Sequence, residues 1–334
     1  MRTLSPANDR PEAPGDVRPT TVGAKARTGA SFFTVTTTTT TGAFISAASG
    51  RASKMMERHG MSTAPLLLLG WVLMAAMMAA LWLLQRARRD AGVVDVGWAA
   101  GLGLLAILYA AAGGGDPLRR VLVAVMAGAW SLRLTWHLLA DRILGKPEDR
   151  RYQTLRARWG RRAQARFFLF FQVQAVADVV LSLPFLVAMR GGVALGAPGI
   201  AGVTVWVVAV LGEALADAQL ARFRADPANR GTTCRIGLWR ASRHPNYFFE
   251  WLHWWSYVLL AAGSPGWWLA LIGPALMLYF LLKVTGIPAT EAQAVLSRPD
   301  YAEYQRTTSA FIPWFPKRQG TGVRGPGSGN DIVR

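Results

Sequence analysis

The sequence predicts an all-α, polytopic membrane protein of about seven spans with a C-terminal cap on its basic side. Composition is the first ground. Of 334 residues, 52% are apolar and only 17% charged, against roughly 25% charged in a soluble domain. Arrangement is the second. The apolar residues gather in runs close to the roughly 20 residues that cross about 30 Å of hydrocarbon. Charge placement is the third, because arginine and lysine collect between the runs, as in the basic loops of membrane proteins.

Residues 1–60 are rich in Pro, Gly, Ser, Thr and Arg, with an unbroken threonine run at Thr36–Thr41. The β-propensity around Phe32–Thr41 has no partner pattern, and Ala43–Ala48 is too short to span. This region is expected to be disordered, or to reflect a start placed upstream of Met55, Met56 or Met61. Residues 61–317 form the membrane domain, and 318–334 read as a disordered tail.

Leu66–Leu84 is the first predicted span and Gly92–Ala112 the second, with Asp95 near its start. A glycine-rich turn leads to the third, Leu118–Ala140, which carries Arg133 and His137. Asp141–Arg166 reads as a long polar loop with nine Arg/Lys and three acids. The fourth span, Phe167–Met189, is interrupted by Pro184. Ile200–Leu220 is the fifth. A basic segment then runs into the sixth, Tyr247–Ala262, and Trp267–Lys283 is the seventh. The last two are short, as tilted or re-entrant spans can be. Most of the fourteen tryptophans read as interfacial belt and packing residues.

The formal net charge of +18 would suit a nucleic-acid partner, but its placement between apolar runs suits an anionic leaflet better. Membrane lipids, not nucleic acid, are the expected partner. The basic segments at 85–89, 141–166, 222–243 and 317–318 must share a side. An outside N-terminus and seven spans put all four in the cytoplasm. Arg119 and Arg120, with Arg51, Lys54 and Arg58, fall on the other side. A single cysteine, Cys234, excludes an intrachain disulfide, and four scattered histidines give no zinc signature.

Ionisable groups at membrane depth usually face a cavity or the protein interior. Glu213, Asp217 and Arg224 lie near one face of the fifth span. Arg224 could clamp a phosphate while Asp217 holds a ribose hydroxyl or orients the arginine; alternatively they form an internal ion pair. In the sixth span, Asn246, Glu250, His253 and Tyr257 make a stripe, and Tyr247, Glu250 and Trp254 another. Pro245 suits a helix start, whose free amides favour an anion. Arg240, Arg243 and His244 stand beside it, which suggests a phosphate site. Gln174, Asp178 and Ser182 repeat every fourth position, and Asp95 shares a face with Trp98. These could equally be interhelical hydrogen bonds. The tail carries an amphipathic helix near Glu291, a break at Pro299, then Tyr301, Tyr304 and Arg306 before Phe311–Phe315. It is expected to fold back and close the basic side.

GLWRASRHPNYFFEW, the upstream EALADAQLARFRADPANRG and the downstream YAEYQRTTSAFIPWFPK resemble, in order, the blocks of the bacterial DUF1295 family, similar in turn to the steroid 5-alpha-reductase superfamily. That resemblance implies a multi-pass inner-membrane reductase with NADPH at its cytoplasmic face. It implies cofactor contacts at Asp217, Arg224, Arg243, His244, Asn246, Tyr247, Glu291, Tyr301 and Arg306; Arg240, Glu250 and Tyr304 complete the expected wall. The reaction it implies is reduction of the carbon–carbon double bond of a lipophilic enone. An acid near the carbonyl would stabilise the developing enolate, for which Tyr109, Asp95, Asp178 and Tyr257 are the candidates. Phe249 stands where the family has a glycine. The alternatives are an S-adenosylmethionine-dependent methyltransferase, since the isoprenylcysteine methyltransferases share a similar block, and a non-catalytic membrane protein.

Overall fold

In the computed structural model, residues 60–191, 195–284 and 286–316 are described. The threonine run, the Ala43–Ala48 patch and the 318–334 tail lie outside them. Eleven α-helices cover the described chain, with no strand beyond an isolated bridge between Met61 and Gly113. We number them α1 Thr63–Arg88, α2 Val93–Ala112, α3 Pro117–Leu138, α4 Arg150–Trp159, α5 Ala163–Leu181 and α6 Leu183–Met189. Then follow α7 Gly196–Ala225, α8 Pro245–Ala261, α9 Ile272–Tyr279, α10 Ile287–Ser297 and α11 Tyr301–Thr307.

Six helical stretches are long and apolar enough to cross a membrane. The 17-residue α8 adds a seventh crossing. Its first turn lies with the basic segments, whereas its last-turn carbonyl, Leu260 O, accepts a hydrogen bond from Arg119 at the far end of the bundle. The chain is therefore a multi-pass helical membrane protein.

Local chemistry sets the helix ends. Pro117 and Pro245 occupy first-turn positions, where the missing donor costs little. Asp116 caps α3 by accepting from the Arg119 amide at 3.0 Å. The fourth span breaks at Ser182, two residues before Pro184, giving α5 and α6. The last span is irregular at both ends, with a 3₁₀ turn at Trp267–Leu271 and a π turn at Phe280–Val284. The tightest seam joins α7 to α8. A β-carbon at Gly202 would lie 2.8 Å from Ser256 O, and one at Gly212 2.5 Å from the Phe249 ring. Small residues let two membrane helices approach this closely.

The polar stretch 141–166, expected as a loop, is largely helical. Asp149 accepts from the Arg151 amide at 2.9 Å and starts α4, and α5 begins four residues after α4 ends. Burial raises the Asp149 pKa, but the hydrogen bonds from Arg151 outweigh it and hold the carboxyl below its ordinary value.

The basic segments share one end of the bundle. Arg156 bonds both Gln85 and Glu148, and Glu148 accepts from the Ala91 amide. Arg119 and Arg120, which broke the charge pattern, are accounted for at the other end. Arg119 is 5% exposed and donates to the carbonyls of Ala188 and Leu260. Arg120 donates to Gly113 O at 2.6 Å. These arginines satisfy carbonyls at helix ends.

Candidate functional site

Two adjoining cavities open into the basic end. The outer one, about 800 Å³, is lined by polar groups from α4, α7, the 233–247 segment, α10 and α11. The inner one, about 400 Å³, lies among the spans. Leu134, Phe170, Val173, Met277, Phe280 and Leu281 supply its apolar wall, and Asp95, Glu213 and Glu250 its acids. His137, Arg142, Arg151, Asp217, Asn246 and Tyr247 line both, so the two share a rim.

That rim is held by charge and hydrogen bonds. Arg133 of α3 pairs with Glu213 and, at 3.1 Å, with Asp217. Asp217 accepts from Asn246 at 3.2 Å and lies 3.9 Å from His137. The Asn246 side chain accepts in turn from the Tyr247 amide. The ion pair Asp217 forms is with Arg133, not with Arg224. Trp130 donates to Glu250 at 3.1 Å and stacks on His253. Glu213 and Glu250 are buried side by side and share a side-chain hydrogen bond.

At the opposite wall, Tyr152 of α4 donates to Asp95 at 2.6 Å, and Arg151 donates to the other Asp95 oxygen at 3.0 Å. Arg142 adds a 3.5 Å contact. Asp95 is thus the anchor of a tyrosine that reaches the inner cavity while only 4% exposed.

The C-terminal cap is sewn to the segment before α8. Arg243 donates to Glu291 at 2.6 Å and to the carbonyls of Gln305 and Thr308. His244 lies 3.1 Å from Glu291, and Gln305 donates to the same carboxylate. Ser242 donates to Phe311 O, and the Tyr304 hydroxyl to Trp239 O and Ser242 O. Arg235 pairs with Asp300 and Glu303. Burial raises the pKa of both Tyr301 and Tyr304, which stay neutral. It also raises that of Cys234, which lines the outer cavity, and so favours the neutral thiol.

The expected site residues separate into groups. Asp217, Asn246 and Tyr247 form the shared rim. Arg224, Arg243, His244, Tyr301 and Tyr304 line the outer cavity, and Glu250 and Asp95 the inner one. Glu291 lines neither, standing behind Arg243 and His244. Arg240 and Arg306 are exposed away from both cavities. Tyr109, Asp178 and Tyr257 line neither cavity and are fully buried. Tyr109 bonds Ser182, and Tyr257 bonds His253. The Asp178 carboxylate faces Gly101, where a β-carbon would come within 2.7 Å. Of the residues expected to make a phosphate site, Arg243 and His244 line the outer cavity and Arg240 does not. Arg243 also bonds the cap, and further cations come from Arg142, Arg224 and Arg298. Asp141, Arg142 and Arg298 act electrostatically on Arg224 there.

Tyr152, Arg133, Arg142 and Arg298 were not singled out as site residues. Tyr152 sits three residues after the capping Asp149 on an amphipathic helix, and that signal could have found it.

Phe249 lines neither cavity. Its ring lies on Gly212 of α7, so the small residue in this contact stands on the opposite helix.

A family model described as a protein of unknown function, DUF1295, matches residues 81–308. No curated protein and no solved structure matches the chain.

Proposed function

The chain belongs to the DUF1295 family, and we propose that it is an NADPH-dependent membrane reductase acting on the carbon–carbon double bond of a lipophilic enone. One observation carries the reading: a polar, arginine-bearing outer cavity shares a rim with an inner cavity among the spans that has one apolar wall.

The residues fit such a cofactor. Arg142, Arg224 and Arg298 offer guanidinium groups to phosphates. Glu213, Glu250 and Asn246 line the inner cavity and offer polar groups to a carboxamide. When bound, the cofactor would supply hydride to the β-carbon of the enone and become NADP⁺, and the enolate would take its α-carbon proton from water at the basic rim. Tyr152 would turn its single hydroxyl proton from Asp95 to the substrate carbonyl and stabilise the charge that develops there. Asp95 holds the tyrosine hydroxyl until the carbonyl takes over that hydrogen bond, and Arg151 and Arg142 fix Asp95. The apolar wall excludes water from the β-carbon. The basic end faces the cytoplasm of a bacterial inner membrane, in accord with its loop charges.

A methyl donor such as S-adenosylmethionine carries no phosphate and leaves those arginines without a ligand. Parallel titration of the purified protein with NADPH and S-adenosylmethionine tests the reading. Saturable NADPH binding, and NADPH oxidation only when a lipophilic enone is present, are expected. Failure of NADPH to bind overturns it.

A further inference from the structure

The inner chamber is closed on most sides and open on one. Met277, Leu281 and Leu138 line it at 4%, 7% and 8% exposure. Val173 of α5 and Val284 of the π turn line it too, yet are 56% and 47% exposed. The chamber thus reaches the molecular surface along the seam between α5 and the last span. These two helices touch only over a short length, whereas α2 with α3 and α7 with α8 pack along theirs. Outside the seam the surface is apolar, with Leu169, Val176 and Tyr279 exposed, and so suited to lipid. Irregular backbone borders it, since the π turn Phe280–Val284 replaces regular helix, and π segments often mark functional sites.

The chamber's polar groups are segregated. Asp95, Tyr152 and Arg151 gather at the α4 wall, and Gln174 of α5 also lines the cavity. A volume of about 400 Å³ is at the small end for a ligand pocket. It holds the polar end of a long molecule more readily than the whole.

We propose that the seam between α5 and the last span admits a single-chain lipid, whose polar end enters the chamber beside Tyr152 and Asp95 while its chain stays in the bilayer. The inference deepens the reductase reading by naming the form of its substrate. It commits to a long-chain lipid threaded through the wall, as opposed to a compact molecule enclosed within it.

Photolabelling tests this without turnover. The full chain is placed in phosphatidylethanolamine–phosphatidylglycerol vesicles containing hexadecanol with a diazirine near its hydroxyl or near its methyl end. The hydroxyl-end probe is expected to label chamber residues such as Trp98 and Gln174. The methyl-end probe is expected to label the outer surface at Val176 and Tyr279. Val173→Trp with Val284→Trp, both at exposed positions, should abolish chamber labelling; Val125→Trp, on the exposed face of α3 and lining neither cavity, should leave it unchanged. Equal chamber labelling by both probes, labelling confined to the outer surface, or chamber labelling that persists in the double variant would overturn the proposal. The wild-type pattern decides even if the double variant fails to fold. A parallel NADPH titration separates this outcome from that of the reductase reading, since labelling requires no cofactor.

Discussion

The two ends of the bundle use the same residue type for opposite purposes. At the closed end, Arg119 is buried and spends its donors on Ala188 O and Leu260 O, sealing helix termini that would otherwise present bare carbonyls. At the open end, Arg224 and Arg298 face a cavity of about 800 Å³. Between the extremes stands Arg133, a neutralising partner for two acids at the cavity rim. Sequence position alone does not distinguish these roles. What separates them is whether carbonyls, carboxylates or open space meet the guanidinium. Charge that stabilises one end is therefore available for binding at the other.

Exchanging the roles should break the contrast. Arg119→Leu leaves two buried carbonyls short of charged donors, each such bond being worth about 1.5–3 kcal/mol. Thermal unfolding is expected to show a loss of about 3–5 kcal/mol on that scale, with NADPH affinity unchanged in the protein that remains folded. A melting temperature equal to that of wild type would show that the closed end does not depend on this arginine.

Arg224→Ala and Arg298→Ala should do the reverse. Unfolding is expected to move little, because neither side chain has a carboxylate within ion-pair distance in the described structure. NADPH affinity should fall about tenfold or more for each, the equivalent of about 1.4 kcal/mol per decade. The loss should shrink for NADH, which lacks one phosphate. Equal losses for both nucleotides would move these arginines away from that phosphate.

How much of this was legible depends on the kind of signal. The spans followed from run length and the shared basic end from loop charge, because both obey the one-dimensional constraint of a bilayer. Asp217 was legible on a face of the fifth span, and Asn246 and Tyr247 in two stripes of the sixth; the rim they form is where the two cavities meet. The partners were not legible. Arg133 reaches Asp217 across 84 positions, and Tyr152 reaches Asp95 across 57; helical spacing within one span is silent on such pairs. Tyr109, Asp178 and Tyr257 drew attention as polar groups in apolar runs, yet that trait is shared by interior hydrogen bonding. Arg243 read as a phosphate ligand because its acceptor, Glu291, lies 48 residues away.

The α7–α8 seam runs between the two ends and gives a finer test. Phe249→Ala removes a half-buried ring from Gly212, at a cost of about 1 kcal/mol, below the range of roughly 1.5–3 kcal/mol for fully burying a phenylalanine. Gly212→Ala overpacks the same spot, at about 1–3 kcal/mol. Combined, they should cost less than their sum, because the truncated side chain vacates the space the methyl needs. Simple additivity in denaturant unfolding would place the two residues out of contact. NADPH affinity should not follow either change, since Phe249 lines neither cavity.

The smallest expected effect is on the cap and separates it from the bundle by pH. Burial raises the pKa of Tyr301 above its ordinary value, with the nearby Glu291 carboxylate adding to the shift. Folding then favours the neutral phenol. Its contribution is fully present below the unfolded value of about 10 and is lost as pH rises from there through the higher folded value. The proton balance agrees, because above about pH 10 the unfolded chain releases this proton first. Stability should therefore decline with pH more steeply in wild type than in Tyr301→Phe, which has no proton to release at that site. The measurement is the melting temperature of both proteins from pH 8 to 11, a range chosen to bracket the tyrosine value of about 10. Parallel curves would show that Tyr301 titrates alike in the folded and unfolded chain, and that the cap leaves it as free to ionise as water does.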